Sequence, residues 1–91
     1  MDTNYSYPLD PEWNQEQLLA AMAIFNLTED AYETKLNVAD FQKAWQHYQT
    51  LFPAKMDQRQ IDREFKRVSG YSIYAVQKAV SQAKGATIKM K

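Results

Sequence analysis

Apolar residues recur along this chain at steps of three and four, the spacing of one face of an α-helix. Leu18, Met22, Phe25 and Tyr32 mark the first such stripe, and Phe41, Trp45, Tyr48 and Phe52 the second. Ile61, Phe65 and Val68 form a third, and Ile73, Val76, Val80 and Ala83 a fourth. Four helices are therefore expected, the first of them rich in apolar residues between its marker positions as well.

Capping chemistry fixes where these helices start and stop. Asn14 is a natural N-cap with Gln17 at N3, a capping box, and Trp13 and Leu18 flank it as a hydrophobic staple. The first helix then runs to about Thr34; an earlier start at Asp10-Pro11 is the alternative, with proline at N1. Asn37 repeats the pattern, with Asp40 at N3 and Leu36 and Phe41 as staple partners, and Pro53 stops the second helix. The third helix is expected from about Lys55 to Val68. Gly70 suits the left-handed position that follows, and Tyr71 should fold back on Phe65. Ser72 caps the fourth helix, Tyr71 and Val76 staple it, and Gly85 ends it. The fold class is therefore all-α: a compact four-helix bundle or array in one domain, residues 1–91. Residues 1–13 form an extended aromatic strap, residues 14–85 the helices, and residues 86–91 a short basic tail expected to fray.

Composition narrows the classes of function. With two glycines and three prolines the chain lacks the turn signals of an all-β fold. It has no cysteine, so disulfides, thiolate metal sites and thiol nucleophiles are absent together, which suits a reducing compartment. The first residues lack a signal peptide's basic end and apolar run, and the apolar stretch from Leu18 to Phe25 is far short of a membrane span. A cytoplasmic protein without a membrane partner is expected.

Net charge is zero but unevenly distributed. Residues 1–40 hold eight acidic groups against Lys35, and residues 41–91 hold ten basic against three acidic. Either an acidic first helix faces basic later ones, or the second half offers a basic surface to an anionic partner.

Candidate chemistry is sparse. His47 is the single histidine, beside the apolar face of its helix and flanked by Gln46 and Gln49, which suits no nucleophile–base pair. Glu29, Asp30 and Glu33 offer carboxylates but too few for a bundle metal site, and no Glu-x-x-His occurs. Gly70 and Gly85 are too far apart for a phosphate-cradling loop. No catalytic residue, metal or cofactor is expected, and the protein is read as a non-enzyme.

Two surfaces remain. The segment Tyr5-Ser6-Tyr7-Pro8-Leu9-Asp10-Pro11-Glu12-Trp13 is aromatic and pinned by proline. Its rings either plug grooves between the helices or, left exposed, form a patch for protein contact. Tyr5, Tyr7 and Trp13 are accordingly the candidate contact surface of a small interaction domain whose partner is a protein or a second copy of itself. The alternative is nucleic-acid binding through the third and fourth helices, which resemble a helix-turn-helix around Val68-Ser69-Gly70-Tyr71-Ser72. Arg63, Lys66, Arg67, Tyr74, Gln77, Lys78 and Lys84 would then form the surface. Lys66 stands where such motifs usually take a small residue, and a pI of about 6.6 is low for a nucleic-acid binder.

The order and spacing of several short motifs also carry a family likeness. They are Tyr5-Ser6-Tyr7-Pro8-Leu9-Asp10 with Trp13, Phe52-Pro53 with Lys55, Glu64-Phe65, and Val68 to Ser72 continued by Tyr74 and Val76 to Ala79. The chain resembles the YktA-like family of small uncharacterised proteins from Gram-positive bacteria over nearly its whole length. That resemblance implies a cytoplasmic helical bundle and carries over no catalytic residue.

Overall fold

In the computed structural model, which describes residues 7–90, the Asn14 side chain accepts from the Gln17 N–H at 2.8 Å. The Gln17 side chain accepts in return from the Asn14 N–H at 3.0 Å. This capping box opens α1, Gln15–Glu33. Asn37 caps α2, Val38–Leu51, by accepting from the Asp40 N–H at 3.0 Å. Helix α3, Lys55–Ser69, closes on Gly70 at φ +84°, whose N–H donates to the Lys66 carbonyl at 2.8 Å. Only glycine holds that backbone without a Cβ penalty. Ser72 caps α4, Ile73–Ser81, accepting from the Ala75 N–H at 3.1 Å.

The fold is all-α, with one two-residue ribbon added. Leu36–Asn37 (β1) pairs antiparallel with Thr87–Ile88 (β2), Leu36 opposite Ile88 and Asn37 opposite Thr87. The tail expected to fray is thus tied down. The Val38 N–H donates to the Ala86 carbonyl and the Met90 N–H to the Ala31 carbonyl, and Ile88 and Met90 pack on the core.

Helix α1 packs most extensively on α2, and α4 lies against both. The buried face of α1 carries Ala20, Ala21, Ile24, Phe25, Thr28 and Ala31, leaving Leu18, Met22 and Tyr32 half-buried. The sequence stripe tracked the large residues, whereas the structure buries the side with three alanines. Thr28, fully buried, donates its hydroxyl to the Ile24 carbonyl at 2.7 Å. Phe41, Tyr48 and Phe52 from α2 and its cap, Ile61 and Phe65 from α3, and Ile73, Val76 and Val80 from α4 complete the core.

One expectation about the second half changes and another gains a partner. Helix α4 ends at Ser81, not Gly85, because the Gln82 N–H is shared between the Lys78 and Ala79 carbonyls at 3.2 Å each. The Ala83 N–H then reaches Val80, three residues back, so the last turn tightens. Tyr71 packs on the core cluster that contains Phe65, and it has a further partner that the local pattern did not point to. It stacks on Tyr32, rings 4.4 Å apart and 7° from parallel, and its hydroxyl donates to Glu33 at 2.8 Å.

A cationic cleft as the candidate functional site

Helix α3 is two-faced, and its exposed cations fall in one row. Lys55, Arg59, Arg63 and Lys66 stand at steps of four, four and three, and all four line one cleft. Among the described residues none of them has a carboxylate within ion-pair distance. Trp45 and Tyr48 from α2, and Ser72, Ile73 and Tyr74 at the start of α4, line it with them. The cleft encloses about 740 Å³, within the range of ligand sites.

The polar groups of its walls are largely engaged. The Asp62 carboxylate, the acidic group in the cleft, accepts from the Ile73 N–H at 2.8 Å and from the Ser72 hydroxyl at 3.3 Å. It therefore locks α3 to the start of α4 and favours the positive end of that helix. Gln58 donates to the Phe52 carbonyl at 2.7 Å. Tyr48 is the exception. Its side chain is 1% exposed, and its hydroxyl has no hydrogen-bond partner among the described residues. Burial pushes that hydroxyl's pKa up, with the charges of Asp62 and Asp57 adding to the effect.

The N-terminal strap is built differently. The Tyr7 ring lies 5.2 Å from Phe25 and 6.1 Å from Phe65, which stack on each other at 4.6 Å. Its hydroxyl donates to the Glu29 carboxylate at 2.9 Å and reaches Asn26 at 2.9 Å. Burial, then the bond to Glu29, push the Tyr7 pKa up to about 12. Glu29 is itself raised by burial, against the lowering effect of the same hydrogen bond. Trp13 packs edge-on against Phe52 at 5.0 Å. Tyr7 and Trp13 are thus half-buried and engaged within their own chain. Tyr5 lies outside the described residues.

Of the other expected surface, the structure brings Arg63, Lys66 and Tyr74 together in the cleft and leaves the rest outside it. Arg67 pairs with Glu64 at 2.7 Å within α3, and Gln77, Lys78 and Lys84 do not line the cavity. Lys55, Arg59, Trp45 and Tyr48 line the cleft but carry no surface signal tied to the turn at Gly70. For the cations the signal is the row at steps of four, four and three beginning at Lys55, and Trp45 and Tyr48 read as part of a core stripe. His47 is exposed and outside the cleft. Among the described residues no three His, Asp or Glu side chains gather to hold a metal ion, and no helix is long and apolar enough to cross a membrane.

The acidic half does not cover the row. Glu29 and Glu33 on α1 accept from the Tyr7 and Tyr71 hydroxyls. Asp10, Glu12, Asp57 and Glu64 instead line a second cavity, of about 330 Å³, beside Trp13 and Phe52.

Comparison with known sequences places this geometry in a family. The profile of an uncharacterised protein family (UPF0223) matches residues 4–89. The chain belongs to the UPF0223 family. A UPF0223 protein of Streptococcus mutans is 45% identical over 86 residues, covering 93% of this chain and 94% of its own length. Relatives from Streptococcus agalactiae and Streptococcus sanguinis are each 44% identical over 93% of this chain, and are covered over 92% and 94% of their lengths. The Gram-positive family resemblance read from the strap, the Phe52-Pro53 stop and the Gly70 turn is therefore a family membership. It attaches no chemistry to UPF0223 chains, so the function of the cleft rests on its geometry.

Proposed function

We propose that this domain is a non-catalytic cytoplasmic binding module, and that it works by gripping a polyanionic partner in the cleft between α2, α3 and α4. The observation that carries this reading is the row of four cations, unmatched by carboxylates among the described residues, in a cleft that Trp45 and Tyr48 also line. Like charges one helical turn apart repel by a few tenths of a kcal/mol per pair. A fold that lines them up along a recess gains from an anion that neutralises them. The one carboxylate in the recess has its oxygens taken by the start of α4, so it is a hinge post and not a general base. A cytoplasmic setting fits a chain without cysteine.

Protein contact through the strap has less support, because Tyr7 and Trp13 serve the chain's own packing. The helix-turn-helix version of nucleic-acid binding has less support, because Arg67, Gln77, Lys78 and Lys84 do not line the cleft.

Retention on a sulfated-polysaccharide matrix, eluted with rising salt, tests the proposal. Arg59→Ala with Arg63→Ala should elute at clearly lower salt than the parent, and Lys78→Ala with Lys84→Ala should not. Equal elution of all three proteins, or a larger effect of the second pair, contradicts it.

A further inference from the structure

The chemistry of the cleft narrows its partner beyond "polyanion", and this step rests on the binding reading above. We infer that the occupant is a single-stranded nucleic acid, its phosphates tracking the cation row of α3 and a base stacked on Tyr74. Three observations lead there. The row runs from Lys55 to Lys66, about 16 Å along a rigid helix at 1.5 Å per residue. That length suits a chain of repeated negative charges better than one phosphate. Tyr74 is 62% exposed, a large ring left open to solvent in the same cleft as the cations. A flat ring beside a basic track is the pairing by which proteins hold unpaired bases, since every base has a stackable face. An acidic peptide would use the cations but has no use for the ring.

The third observation is shape. The four exposed cations lie along a cleft that Trp45, Tyr48 and the start of α4 also line. A flexible strand can follow such a cleft and turn a base onto Tyr74, whereas a duplex keeps its bases stacked and paired. The buried Tyr48 hydroxyl adds a polar group in the same cleft with no other partner among the described residues. Whole-chain neutrality is no obstacle, because Asp10, Glu12, Asp57 and Glu64 line the other cavity and none of them lines the cleft, although the charge of Asp57 is felt at Tyr48. Asp62 is the opposing charge within the cleft, and its engagement with Ile73 and Ser72 holds it in place.

The test is fluorescence anisotropy of a short labelled single-stranded oligonucleotide, as DNA and as RNA, at low and at physiological salt. The full-length protein should bind at least one of them, with affinity falling as salt rises. Arg59→Ala with Arg63→Ala should weaken binding about tenfold or more and flatten the salt dependence. Tyr74→Ala should weaken it about tenfold at unchanged salt dependence, and Tyr74→Phe should restore it. These side chains are exposed, and circular dichroism confirms that each variant is folded. A duplex of the same sequence should bind more weakly, and polyglutamate should compete poorly. No binding to either strand at low salt, equal competition by polyglutamate, or indifference to Tyr74→Ala overturns the inference. If retention on the polysaccharide survives while oligonucleotide binding fails, the partner is wrong and the cleft stands. Loss of both removes the cleft as well.

Discussion

Two tyrosine hydroxyls in this small protein have opposite fates, and each dictates a measurable consequence. Tyr48 buries its hydroxyl without a partner among the described residues, a state that costs free energy. Tyr48→Phe should leave the unfolding free energy unchanged or raise it by up to about 1 kcal/mol in urea titration. A clear loss would show that the hydroxyl is bonded after all. Tyr7 instead donates to the Glu29 carboxylate, and Tyr7→Phe should cost about 1–2 kcal/mol, since that bond is charge-assisted but partly exposed. The folded Tyr7 holds its proton to about 12, above the ordinary 10.0. Its contribution is whole below pH 10 and fades as pH rises through 12, so Tyr7→Phe should flatten the stability loss across that window. A variant whose pH profile parallels the parent's contradicts the strap contact.

Among the helices and ribbon, what was legible in the sequence was what is local. The caps at Asn14, Asn37 and Ser72 and the stop at Gly70 depend on residues within four positions of each other, and each holds in the structure. The β1–β2 ribbon was not legible, because Leu36–Asn37 and Thr87–Ile88 are two residues each and meet across fifty positions. No periodicity survives in segments that short. The stacking of Tyr71 on Tyr32 was not legible for the same reason, since the two lie thirty-nine positions apart and a local rule looks only to the neighbouring helix end. Deleting residues 86–91 removes the ribbon and the packing of Ile88 and Met90, and should cost about 2–4 kcal/mol by denaturant titration. A shift under about 0.5 kcal/mol, the size of an ordinary surface change, would show that the tail is not docked. Asp62→Ala should cost about 1–2 kcal/mol by uncapping α4 from the side of α3.

Across the whole molecule, charge is sorted around α3. One side of it presents Lys55, Arg59, Arg63 and Lys66 to the larger cavity, and the other presents Asp57 and Glu64 to the smaller. The excess of basic residues in the second half was legible in the sequence, and so were Arg63, Lys66 and Tyr74 as parts of a surface. The aromatic lining beside them was not, because Trp45 and Tyr48 belong to a stripe that reads as core, and Tyr48 indeed sits in the core. Only the tertiary fold, in which α4 packs on both α2 and α3, brings core aromatics of α2 to the side of a cleft.

The two tryptophans report separately on the two surfaces: Trp45 lines the cationic cleft, and Trp13 packs on Phe52 under the strap. Titrating isotope-labelled protein with a sulfated polysaccharide fragment, and following both indole N–H signals by NMR, tests the central claim most directly. The Trp45 signal should move in proportion to bound anion and return with added salt, while the Trp13 signal stays in place. Movement of Trp13 with Trp45 unchanged would put the working surface at the strap and contradict the account.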